Sequence, residues 1–239
     1  MKVTIGHLYP DLLNLYGDRG NIQCLMQRLI WRGIEAETIE FELEDDIEFD
    51  KLDIVLLGGG SDREQKIVCS RLKEIKDDFT KYVDRGGVVI AICGGYQLLG
   101  ESYRMGDEII KGLHIINIRT EAGVGRLIGN IVIQSELFDL PLVGFENHGG
   151  RTIINDTKPL GKVLTGYGNN DNAGVEGIIY KNVIGTYLHG PILPKNPHLC
   201  DYLLEKALFN KYGNVELTSL DDEVELKANK FIYDRYVKK

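Results

Sequence analysis

Apolar positions along the chain switch between two periods. Residues 2–8 read as a strand, and from Asn21 the residues Cys24, Leu25, Met26, Leu29 and Ile30 recur at helical spacing until Gly33 ends the run. Between them lies a turn-rich connection, residues 10–20, longer than most strand-to-helix loops and therefore a candidate functional loop. Residues 36–43 alternate, and the continuous apolar run Ile54-Val55-Leu56-Leu57 stops abruptly at Gly58-Gly59-Gly60. One long amphipathic segment follows through Ile67, Val68, Leu72, Ile75, Phe79, Tyr82 and Val83, and Arg85-Gly86-Gly87 ends it. Val88-Val89-Ile90-Ala91-Ile92 is a second wholly apolar strand.

Strands that are apolar on both faces and separated by helices predict an α/β fold, a doubly wound and mostly parallel sheet flanked by helices. From Gly112 the pattern shortens to strands over 115–119, 127–133, 142–146, 161–165, 177–180 and 183–187, joined by turns such as Gly168-Asn169-Asn170-Asp171. Additional antiparallel or mixed pairing is expected there. The tail returns to helix over 197–212 and 221–237, with Lys238-Lys239 at the end, where the helix dipole favours cations. No repeat, low-complexity tract or linker interrupts the chain, so residues 1–239 are expected to form a single domain.

Composition narrows the function. The net charge of −8 repels phosphate backbones and anionic lipid, which argues against nucleic acid as a partner. No apolar run approaches the roughly 20 residues of a bilayer span, so no membrane insertion is expected. The N-terminus has no signal-peptide h-region, so the chain is expected to stay in the cytoplasm. Cys24, Cys69, Cys93 and Cys200 are scattered without C-x-x-C spacing, suggesting neither a metal site nor a disulfide framework.

The strongest local signal is the buried strand that delivers Cys93 into Gly94-Gly95 and then into a helical pattern, Tyr96-Gln97-Leu98-Leu99. Such a strand-to-helix elbow is tight enough to require small neighbours, and it projects its nucleophile above the carboxyl edge of the sheet. The helix N-terminus behind it is expected to lower the thiol pKa. Cys24, Cys69 and Cys200 lie in or beside helical apolar stripes and read as core residues.

A thiol nucleophile needs a base. His189 follows an apolar strand and precedes Gly190-Pro191, placing it at a strand end, where open α/β sheets bind ligands. His148, in Glu146-Asn147-His148-Gly149-Gly150-Arg151, is its rival, in a Gly-rich turn after another apolar strand. Acyl transfer also needs backbone N–H groups for an oxyanion: Gly94 supplies one, and the Gly58-Gly59-Gly60 run on the adjacent strand supplies the second. That run lacks the Lys-Ser/Thr of a P-loop and the spacing of a dinucleotide fingerprint, so this chain is not expected to bind ATP.

The elbow Ile92-Cys93-Gly94-Gly95-Tyr96-Gln97, the run Leu57-Gly58-Gly59-Gly60, and the segments Gly144-Phe145-Glu146-Asn147-His148-Gly149 and Gly185-Thr186-Tyr187-Leu188-His189-Gly190 resemble the class I glutamine amidotransferases. More narrowly, they resemble their cobyric acid synthase-like branch. The similarity runs almost end to end, from Leu12-Leu13-Asn14-Leu15-Tyr16-Gly17-Asp18 to the final helices. It is most specific at Gly59-Gly60-Ser61-Asp62-Arg63-Glu64-Gln65 and His189-Gly190-Pro191-Ile192-Leu193-Pro194. The pattern is similar to stand-alone glutaminase subunits that work with a Mur-ligase-like synthetase.

The resemblance implies that Cys93 attacks the side-chain amide of L-glutamine, that His189 shuttles the proton, and that Gly60 and Gly94 furnish oxyanion amides. Gln97, Asn147 and His148 would touch the substrate. Arg126 matches a substrate-binding arginine, and a guanidinium suits the α-carboxylate; without that match it reads as a solvated charge at a strand start. The resemblance also implies that ammonia passes to an ATP-using Mur-ligase-like partner that amidates D-glutamate of lipid II, with no cofactor in this chain. There are two departures from the wider pattern. Pro191 stands where Glu usually follows the histidine by two, so either a Cys-His dyad works alone or another acid, with Glu146 a candidate, orients the ring. Ala91 stands where Gly is frequent, a change small enough for the turn. A glutaminase subunit of another amide synthase and a non-catalytic regulatory module of the same fold remain alternatives.

Overall fold

A computed structural model of the chain describes residues 1–15, 17–105 and 108–238. Tyr16 of the resemblance and the terminal Lys239 lie outside these residues. In chain order the elements are β1 (Lys2–Leu8), α1 (Arg19–Ile30), β2 (Glu35–Phe41), β3 (Ile54–Leu57), α2 (Asp62–Glu74), α3 (Lys76–Asp84), β4 (Val88–Ile92) and α4 (Gly94–Leu98). Then follow β5 (Ser102–Met105), β6 (Glu108–Lys111), β7 (Ile118–Gln134), β8 (Leu142–Ile154), β9 (Gly161–Thr165), β10 (Val175–Glu176), β11 (Ile178–Tyr180), β12 (Val183–Thr186), α5 (Pro197–Tyr212) and α6 (Glu223–Tyr236).

The first sheet has the order β11-β12-β4-β3-β1-β2. Its strands are parallel except for β11, which pairs antiparallel with β12 at the edge. Every residue of β3 and β4 is buried, as uninterrupted apolar runs require when both faces of a sheet are covered. The helices begin and end where local chemistry dictates. Ser61 and Glu64 form a capping box at the start of α2, Pro197 opens α5, and Gly213, at a φ of 82°, closes it. The buried Arg28 of α1 donates to both carboxylate oxygens of Asp201 in α5 at 2.6 Å and to Asp222 before α6 at 2.5 Å. That fork ties three distant segments together.

The amphipathic segment expected as one helix is two. The chain breaks at Ile75 (φ −102°, ψ 11°), and α3 restarts with Asp77 and Asp78 in its first turn. The apolar spacing runs across the break because Val68 and Leu72 of α2 and Phe79, Tyr82 and Val83 of α3 enter the same core.

The second sheet has the order β10-β9-β7-β5-β6, with β8 also paired to β7. The strands expected over 115–119 and 127–133 merge into the single long β7, interrupted by an irregularity between Ala122 and Leu127. Likewise β8 continues through residues 147–151, so His148 lies in a strand rather than in the expected Gly-rich turn. Pairing of β7 with β8 satisfies the backbone of residues that have no strand pattern of their own. The hairpin of β5 and β6 had no periodic signal and is an addition. One buried cluster takes in side chains of both sheets, among them Ile90 and Leu57 of the first and Ile118, Ile131 and Leu142 of the second. No helix among the described residues is long and apolar enough to cross a membrane.

Candidate active site

Three parallel strands deliver their carboxyl ends to one place. After β4, Cys93 takes a φ of 50° and a ψ of −104°, a conformation that costs a non-glycine residue on the order of 1–3 kcal/mol. Its N–H donates to the Thr186 carbonyl at 2.8 Å, locking the elbow to the end of β12. The following glycines are required by space: a Cβ on Gly95 would lie 2.4 Å from the Leu57 carbonyl oxygen, and one on Gly94 would lie 2.7 Å from Cδ of Gln65. After β3, the Gly58 carbonyl accepts the Gly95 N–H at 3.0 Å and the Gly60 carbonyl accepts Gln65 Nε2 at 2.9 Å. The Gly60 N–H has no acceptor among the described residues.

Beyond β12 the chain runs through Tyr187 and Leu188 to His189, whose N–H donates to the Phe145 carbonyl of β8 at 2.7 Å. The buried Glu176 steadies this strand end, accepting the Tyr187 N–H at 2.6 Å and the Thr186 hydroxyl at 2.9 Å. His189 therefore stands past the end of the strand paired to the one that carries Cys93. Burial pushes its pKa down to about 3, with His148 and the Arg126 guanidinium adding to the effect. Burial also pushes the Cys93 thiol up to about 12, with the Asp18 carboxylate reinforcing it, while the Gly94 N–H and Arg126 pull the other way.

The expected low thiol pKa is thus corrected. Helix α4 is only five residues long, so its dipole is small against the desolvation of a thiol that is 6% exposed. Burial thus favours the uncharged form of both the cysteine and the histidine.

The elbow opens into a cleft of about 680 Å³. Gly60, Cys93, Gln97, Arg126, Asn147 and His148 all line it; Gly94 and His189 are buried and off its walls. The second sheet contributes another part of the wall, where Arg126 Nε donates to Asn147 Oδ1 and its terminal nitrogen to the Asn147 carbonyl, both at 2.7 Å. This fork holds a guanidinium on the wall of the cleft that contains the thiol. The His148 ring stacks on Tyr187, centroids 3.7 Å apart and planes within 6°, and its Nδ1 meets the Gly150 carbonyl at 2.8 Å. Gln97 Nε2 donates to the Tyr187 hydroxyl at 2.9 Å, and that hydroxyl pairs with Thr152 Oγ1 at 2.6 Å. Glu146, the candidate third acid, accepts the N–H groups of Tyr167 and Gly168 at 2.7 and 2.9 Å and lies 3.8 Å from Nε2 of His148. Its position is that of a buried anchor for the 167–168 turn.

Three contributors were not singled out from sequence. Glu176 and Tyr187 carry no spacing signal, because their partners lie in distant strands. Asp18 sits in the long loop flagged above, but nothing local shows that its carboxylate reaches the glycine run. Among the described residues no group of three or more His, Cys, Asp or Glu could hold a metal ion.

A parallel sheet with a strained cysteine elbow at its carboxyl edge is the architecture of the glutamine amidotransferases. A solved glutamine amidotransferase from Thermotoga maritima shares this fold, with a TM-score of 0.54 at 13% identity over 99% of each chain. Residues 4–197 match the CobB/CobQ-like glutamine amidotransferase domain, and the chain belongs to that family. It is 47% identical, over 98% of its length and 96% of the relative's, to subunit GatD of the glutamine-hydrolyzing lipid II isoglutaminyl synthase of Staphylococcus aureus strain N315. It is 42% identical to the corresponding Streptococcus pneumoniae R6 subunit, over 92% of this chain and 86% of that protein.

Proposed function

We propose that this chain is the glutamine-hydrolysing subunit of a lipid II isoglutaminyl synthase and that Cys93 is its nucleophile. The observation that carries the reading is Cys93 held at a φ of 50° on the wall of a cleft that Arg126 also lines. The two relatives, similar over nearly the whole chain, support the acceptor.

L-Glutamine enters with its α-carboxylate on Arg126, held in place by Asn147, and its side-chain amide over Cys93. Gln97 and His148 shape the walls around it. The sulfur attacks the amide carbon as its proton passes to His189, and the oxyanion that forms accepts the N–H groups of Gly60 and Gly94. His189 returns the proton to the departing nitrogen, the C–N bond breaks, and ammonia leaves a thioester. Water then adds with His189 as base, the C–S bond breaks, and glutamate departs as the thiol is restored. Burial raises the thiol and lowers the imidazole, so both groups favour the neutral form at rest and the proton moves as the sulfur attacks. Of the two candidate histidines, His189 fits the proton relay, because it extends the strand next to that of Cys93, whereas the His148 ring is committed to its stack with Tyr187.

Ammonia passes to an ATP-using, Mur-ligase-like subunit that activates and amidates D-glutamate of lipid II in the cytoplasm. The test is glutamate release from L-glutamine by the full chain, alone and with the subunit that co-purifies from the native cell, followed by ATP-dependent amidation of lipid II. Loss of both activities in folded Cys93→Ala is the expected result. Glutamine hydrolysis that survives Cys93→Ala overturns the nucleophile, and a co-purified subunit that leaves lipid II unamidated overturns the acceptor.

A further inference from the structure

The long β1–α1 loop lies directly on the glycine run that follows β3. A Cβ on Gly58 would come 2.1 Å from the Leu13 carbonyl oxygen and 2.9 Å from Asp18 Oδ2. A Cβ on Gly60 would come 2.8 Å from the Leu12 carbonyl oxygen. Among the described residues two hydrogen bonds cross this contact, and both end on Gly59. Its N–H donates to Oδ2 of the fully buried Asp18 at 2.9 Å, and its carbonyl accepts the Leu15 N–H at 3.0 Å.

The consequence follows from peptide planarity. The Gly59 carbonyl and the Gly60 N–H belong to one trans peptide unit and point in opposite directions, so fixing the carbonyl toward Leu15 aims the Gly60 N–H away from the loop. The Gly59 N–H belongs to the preceding unit, which Asp18 fixes. Both planes around a conformationally permissive glycine are thereby pinned, which an unsupported glycine run would not achieve. Gly60 itself lines the cleft that contains Cys93.

We propose that Asp18 is a positioning residue for amide hydrolysis: by clamping the Gly59 N–H it holds the neighbouring Gly60 N–H in line for the oxyanion. The proposal rests on glutamine hydrolysis at Cys93 as read above. Asp18 touches neither substrate nor thiol in this role and acts through the glycine backbone. Preorganised oxyanion donors contribute to the transition state and little to ground-state binding, so their misalignment shows in kcat rather than in KM.

The experiment measures kcat and KM for L-glutamine with the full chain and its co-purifying subunit, in wild type, Asp18→Ala and Asp18→Asn. Asp18→Ala removes the clamp, and kcat is expected to fall roughly thirtyfold or more with KM within about threefold. Asp18→Asn keeps an amide oxygen for the Gly59 N–H, and kcat is expected to return to within about fivefold of wild type. If Asp18→Ala does not fold, Asp18→Ser, whose hydroxyl falls short of that N–H, takes its place with the same expectation. A kcat unchanged in the clamp-removing variant, a loss that falls on KM, or an equal loss in Asp18→Asn overturns the proposal. Each of those results leaves wild-type hydrolysis intact, whereas wild type that hydrolyses no glutamine with its partner present overturns the functional reading instead.

Discussion

The protonation of Cys93 can be measured directly. Its thiol is pushed up to about 12 by burial, against a thiol's ordinary value near 9. At pH 8 about one molecule in ten carries an ordinary thiol as thiolate, but only about one in ten thousand carries this one, a deficit of roughly a thousandfold. A more basic thiolate is a better nucleophile, with a Brønsted slope of about 0.4–0.5, which returns a factor of roughly 15–30. The net expectation is that a small disulfide reagent such as dipyridyl disulfide modifies Cys93 about 30–60 times more slowly at pH 8 than it modifies a free cysteine. Its rate should climb about tenfold per pH unit without levelling up to pH 10. Peptide mapping by mass spectrometry separates Cys93 from Cys24, which is partly exposed and reacts in parallel. A plateau for Cys93 with its midpoint below pH 9 in the free protein would show that desolvation is not the dominant influence, and that the thiolate is preformed.

Three further outcomes follow from named contacts. In Gly60→Ala the new Cβ meets the Leu12 carbonyl oxygen at 2.8 Å and Leu13 Cδ2 at 2.7 Å, so the backbone must shift and kcat is expected to drop about a hundredfold; wild-type kcat would remove Gly60 from the oxyanion site. Arg28→Leu takes the guanidinium from Asp222 and leaves Asp201 with Arg32 alone, and is expected to cost about 2 kcal/mol, a Tm roughly 4–8 °C lower by calorimetry, with an unchanged Tm refuting the role of the fork. Stability should also vary with pH. His7, His189 and His198 are lowered to about 4, 3 and 4, so the unfolded chain takes up their protons first and stability falls as pH drops below about 6.5. Asp18, raised to about 6, and Glu176, raised to about 8, act oppositely: the folded chain binds their protons first, and that stability is lost as pH rises toward 8. A maximum between about pH 6 and 7 in urea unfolding is expected, and a stability that is flat from pH 8 to 5 would contradict it.

The sequence was most legible where one element's own residues decide its state. The uninterrupted apolar runs of β3 and β4 and the Gly-Gly after Cys93 each carry their reason locally, and the helix Pro197–Tyr212 is bounded by its own proline and glycine. Legibility failed where pairing is long-range. Residues 120–122 and 147–151 are strand because β7 and β8 hold each other, so His148 read as a turn residue. The thiol's protonation was misjudged for the same reason, since a local dipole can be read from the motif while burial belongs to the tertiary structure. Asp18 makes the point most sharply: it sits 41 positions before the glycine it clamps.

The central claim is that the sulfur of Cys93 makes and breaks the bond to the glutamine side chain. Incubation with the glutamine analogue 6-diazo-5-oxo-L-norleucine, followed by peptide mapping, tests it most directly. The account predicts one adduct per chain, on Cys93, blocked by excess L-glutamine and formed in step with loss of glutamate release. Inactivation with the adduct on Cys24, Cys69 or Cys200, or full inactivation with Cys93 unmodified, would contradict it.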